Sequence, residues 1–160
     1  MAWGGSKIFQ EWVKNPMMAD KASLPTTYAG LQSDSIKVAL YGVVTPDRTA
    51  AVGSTGYNTG QWVTGGEQAS GTDWVAGGRA LASKTLAASA GVVTFDAADL
   101  TSVAVATLTV NGCLVYDDTI TAGTVAKQGV CFLDFGGVQT VTSGSFSLSF
   151  NAAGIATITV

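Results

Sequence analysis

The sequence predicts an all-β fold: an antiparallel β-sandwich or small barrel with a short N-terminal helix and an extended arm. Three observations carry that expectation. From Ile36 onward, apolar residues recur with a period of two or in short continuous runs. Brief Gly, Asp or Asn breaks separate the runs, which is the spacing of a sandwich or small barrel. Beyond residue 33, no long stretch carries the 3.6-residue period of a helix. The chain has 160 residues, 47% hydrophobic and only 12% charged, a length that suits one domain with its own core.

Residues 1–33 form the arm. Ser6 is placed to cap a short amphipathic helix over Lys7 to Lys14, with Ile8, Phe9, Trp12 and Val13 on one side. Pro16 ends it. A helix of about two turns is unstable alone in water, so its apolar side needs a partner, either its own domain or another subunit. On the second reading the arm is a tether, and removing residues 1–15 leaves the rest folded.

Residues 34–160 form a single β domain. SDSIKVALYGVV alternates and then turns continuously apolar, as an early core strand does. A Gly-rich excursion follows over residues 45–78. It holds Trp62 and Trp74, which flexible linkers do not usually carry, so an ordered segment is expected. The strands then come close together: ALASKTLAAS, GVVTFDA, TSVAVATLTV, GCLVYDD, QGVCFLDF, VQTVTSGSFSLSF and GIATITV. Val130 to Phe135 is apolar on both faces and belongs in mid-sheet. Ser145 to Phe150 alternates cleanly, with Phe146, Leu148 and Phe150 on one face.

The missing residue types narrow the chemistry. The chain has no His, which removes Ser-His-Asp and Cys-His nucleophile systems and His-ligated zinc. Its cysteines, Cys113 and Cys131, lie in apolar runs and read as buried free thiols of a reduced, intracellular chain. Asp117-Asp118 could offer oxygens to calcium but lacks EF-hand spacing, so a capped strand end is the favoured reading. The glutamates, Glu11 and Glu67, give no sign of sharing a glycosidase cleft. No phosphate-binding glycine loop is present. The net charge is −3 with no basic stripe, which argues against nucleic acid. No run approaches the length needed to cross a bilayer, and the N-terminus lacks a secretory h-region. The expectation is a protein that is not an enzyme and has no cofactor, no metal, no nucleic-acid partner and no membrane partner. Its low charge suits a surface that is covered in an assembly.

Several segments, in order, resemble a known family. They are SDSIKVALYG, the Gly-Tyr of residues 56–57, AGGRAL, VVTFDAADL, LVYDDT, and CFLDFGGVQTVTSGSFSLSFNAAGIATITV. The chain is similar to the small minor-capsid and decoration proteins of long-tailed bacteriophages. The likeness spans residues 34–160, and Cys113 stands where the family more often has Ala or Gly. The resemblance implies a virion structural protein on the head surface, made in the host cytoplasm. It implies the major capsid protein and further copies of the chain as partners, the latter as a homo-oligomer. A decoration protein of this kind stabilises the assembled lattice through its arm and β domain. Trp3, Ile8, Phe9, Trp12, Val13, Trp62 and Trp74 are the expected interface residues, because buried aromatics dominate interface energies. A tail or baseplate component is the alternative. A receptor- or carbohydrate-binding module, with the Trp62–Trp74 excursion as its platform, is a further one.

Overall fold

The computed structural model describes residues 6–9, 30–42, 44–121 and 125–159. Its regular elements are β1 (Lys7–Ile8), β2 (Ile36–Tyr41), β3 (Arg79–Ala80), β4 (Thr85–Ser89), β5 (Val92–Asp96), β6 (Ala106–Asp117), β7 (Gly129–Gly144) and β8 (Ala156–Thr159). Short 3-10 turns at Val52–Ser54, Gly60–Trp62 and Thr64–Gly66 punctuate the excursion. The fold is all-β. A five-stranded sheet runs β1-β7-β6-β2-β3 and a three-stranded sheet runs β4-β5-β8, each antiparallel throughout. This is a sandwich and not a closed barrel.

Around β2, the second half of β6 and the start of β7, the larger sheet is buried on both faces, which explains why those segments read as continuous apolar runs. Ile36, Val38 and Leu40 of β2, with Cys113 and Val115 of β6, share a core with Phe95, Leu100, Leu148 and Ile155 from the side of the smaller sheet. On the opposite face, Ala39, Tyr41, Leu114, Tyr116 and Phe132 pack with Phe9, Tyr57 and Trp62. The part of the excursion around Tyr57 and Trp62 is therefore a third layer over the outer face of the main sheet, whereas Trp74 joins the core on the other face.

Long strands replace several shorter expected ones. Gly112 does not break β6; it pairs with Tyr41 on one side and Asp134 on the other. FGGVQ likewise lies inside β7 as a bulge. Gly112 pairs with Asp134 and Val110 with Gln139, so Phe135 to Val138 all stand opposite Asn111. Gly136 and Gly137 take φ of 75° and 145°, which only glycine adopts without strain.

Two expected elements are corrected. The helix expected over Lys7 to Lys14 begins instead as strand β1, with Lys7 and Ile8 paired to Phe132 and Cys131. Ser6 caps no helix, and its Oγ accepts from the Asp134 backbone N–H at 2.8 Å. The sheet edge of β7 offers backbone partners that outweigh a two-turn helical pattern; residues 10–14 lie outside the described residues. Ser145 to Phe150 forms no strand beyond one bridge, Leu100 to Leu148. Its alternation still sends Phe146, Leu148 and Phe150 to the core. Its backbone bonds elsewhere, with Phe146 O accepting from Trp74 Nε1 and Phe150 N–H donating to Asp99.

Candidate interaction surface

The expected interface residues separate into core and undescribed positions. Phe9 is fully buried, its ring 5.7 Å from Phe132 and 6.2 Å from Trp62 in edge-to-face geometry. Ile8 is half-buried against the main core. Trp62 is fully buried, and its carbonyl accepts from the Tyr41 hydroxyl at 2.7 Å. Trp74 is 1% exposed, stacks edge-on to Phe146 and donates to that residue's carbonyl. Phe9, Trp62 and Trp74 are thus buried within the chain itself, and Ile8 is half-buried against it. Trp3, Trp12 and Val13 lie outside the described residues. With both indoles inside, Trp62 and Trp74 cannot form an exposed sugar platform.

Polar clamps hold the excursion rigid. Glu67 accepts from the Tyr57 hydroxyl at 2.7 Å and from the Gly77 N–H at 2.9 Å. The Tyr116 hydroxyl donates to Gly77 O at 2.6 Å, and its ring stacks on Tyr57 at 4.8 Å. Burial raises the pKa of both phenols, so they remain neutral donors. Gly78, at φ 72°, passes so close to β2 that a Cβ would strike the Val38 carbonyl.

A second clamp presents apolar side chains outward. One oxygen of Asp73 accepts from the Ser102 hydroxyl at 2.7 Å and from the N–H groups of Val103 and Ala104, each at 3.0 Å. The Ala104 N–H, the Ser102 hydroxyl and the Val103 N–H, in that order, hold the Asp73 carboxyl below its ordinary range. Arg79 lies over the Trp74 ring at 5.1 Å and donates to Thr101 O at 3.0 Å. Ser70 Oγ accepts from the Thr107 N–H at 2.9 Å. These bonds fix the turn at residues 70–75 against the loop at residues 101–107. On those two braced segments sit Val103, 93% exposed, Val105, 65% exposed, and Val75, 48% exposed. Exposed apolar side chains on an immobilised backbone lose little entropy when a partner covers them. Sequence reasoning missed this loop. Its signal was TSVAVAT, read as strand because its valines alternate.

The paired aspartates take separate roles. Asp117 turns inward and accepts from the Thr119 N–H at 2.9 Å. Asp118 pairs with Lys37 at 2.7 Å and Lys127 at 3.3 Å. Among the described residues, no group of three or more His, Cys, Asp or Glu side chains is placed to hold a metal. Glu67 is spent on its clamp, and Glu11 lies outside the described residues. No protein-family model, curated protein or solved structure matches the chain.

Proposed function

We propose that the chain is a virion structural protein that decorates an assembled phage head, with the valine loop braced by Asp73 as a docking element. The observation that carries this reading is the placement of Val103, almost fully exposed, on a loop tied to one carboxylate by two backbone N–H groups and the Ser102 hydroxyl. The rigid sandwich, the low charge and the resemblance over residues 34–160 support it. A decoration protein binds assembled lattice in preference to free subunits, so its binding energy adds to lattice stability by mass action. Repetition over many identical sites makes a small patch sufficient. The partner is then the major capsid protein. Segment Ser6–Phe9 acts through the fold it completes.

Peptide mass spectrometry on separated heads and tails tests the reading. Recovery in heads, at a copy number comparable with the major capsid protein, is the expected result. Recovery with tails would replace it by a tail or baseplate role, and absence from both would overturn it.

A further inference from the structure

We infer that the open edge of β4 pairs with the β4 edge of a second copy, joining two three-stranded sheets into one continuous sheet. This goes beyond the decoration reading and does not rest on it. Strand β4 is terminal in the order β4-β5-β8, and among the described residues nothing pairs with its outer edge. All five of its residues, Thr85 to Ser89, are exposed, so neither face is obstructed. It also lacks the usual protection of edge strands, having no charge, no proline and no bulge within it.

The register shows which groups are free. Ser89 pairs with Val92 across the turn Ala90–Gly91, whose φ values of 50° and 77° match a two-residue hairpin of the primed type. In such a hairpin Ser89, Ala87 and Thr85 exchange backbone bonds with β5, and the N–H and C=O of Leu86 and Ala88 point outward. A two-fold axis through Ala87 then sets Leu86 against Ala88 of the second copy as a bonded pair. It sets Ala87 against Ala87, and Thr85 against Ser89.

The sequence TLAAS is thus its own complement: hydroxyl meets hydroxyl, and the exposed Leu86 meets a small methyl. Lys84 falls beside the Ala90–Gly91 turn of the other copy and not beside its own counterpart. An unrelated partner strand would require no such self-match, and this is why the occupant is a second copy. Five residues a side bury less than a standard interface, so the pairing is weak in solution and populated at high concentration.

Sedimentation velocity on the full chain, from micromolar to about millimolar, tests this with variants Ala87→Lys and Ala87→Glu. Each places like charges opposite one another across the axis and should weaken self-association about tenfold. An equimolar mixture of the two should restore dimers, because Lys then faces Glu. Ala88→Pro, which removes an outward N–H and spares the bonds to β5, should also give monomers. The inference is overturned if the wild type stays monomeric throughout. It is equally overturned if the variants associate like the wild type, or if the mixture fails to recover.

Discussion

Asp117 and Asp118 are adjacent in sequence and opposite in electrostatics. Burial, with the nearby Asp34 charge adding to it, raises the Asp117 carboxyl above the ordinary 3.8. Burial also pushes Asp118 up, but the ammonium groups of Lys37 and Lys127 outweigh it and hold that carboxyl low. A raised carboxyl contributes stability that is complete below 3.8 and is lost as pH climbs through the folded value. Asp117→Asn removes the buried charge and keeps an acceptor for Thr119. It should therefore melt higher than wild type near neutral pH, with the gain vanishing toward about pH 4. Asp73 and Asp118 have the reverse sign: their contribution is present above 3.8 and is lost as pH falls through their lowered values. Melting curves across the acid range check both signs. The thiols give a second test at this scale. Cys113 and Cys131 are free and buried, and burial pushes Cys131 up to about 12 and raises Cys113 as well. Neither should react with a thiol reagent at neutral pH until denaturant is added. Rapid labelling of the native protein would contradict that burial.

Among the elements, β1 departs furthest from the sequence reading. Its two residues extend the main sheet, and the next residue, Phe9, fills the space between Phe132 and Trp62. Phe9→Ala should cost roughly 3–5 kcal/mol in a denaturant titration. Removal of residues 1–15 should destabilise the domain rather than detach a tether. The helical pattern of Ile8, Phe9, Trp12 and Val13 could not reveal this, because strand pairing depends on an edge more than a hundred residues away. The central strands were legible for the converse reason. In IKVALY and GCLVYD, both faces meet apolar layers, and the local sequence records that directly. Ser145 to Phe150 lies between these cases: its period correctly placed Phe146 and Leu148 inward, but period alone does not supply a neighbouring ladder. Trp62 and Trp74 were expected at an interface, but a core anchor and an interface anchor have the same composition. Only the folded chain decides between them, with Trp62 closing over the outer face of the main sheet and Trp74 entering the core on the other face.

For the whole molecule, a three-layer body holds a small apolar loop rigid at its surface. The two sheets and the excursion share their cores through β2, β6 and β7, and the Asp73 and Glu67 clamps tie the second half of the excursion in place. Such a body suits repeated docking on a lattice, where order before binding limits the entropy lost on binding. Placing a charge on the loop should weaken docking and leave the fold alone, since Val103 is 93% exposed. The most direct measurement is co-sedimentation of purified protein with heads that lack it, comparing wild type with Val103→Asp at matched melting temperature. Saturable binding of wild type, weakened at least about tenfold in Val103→Asp, is the predicted result. Equal binding by the two proteins, or no binding by the wild type, would contradict the docking role of the loop.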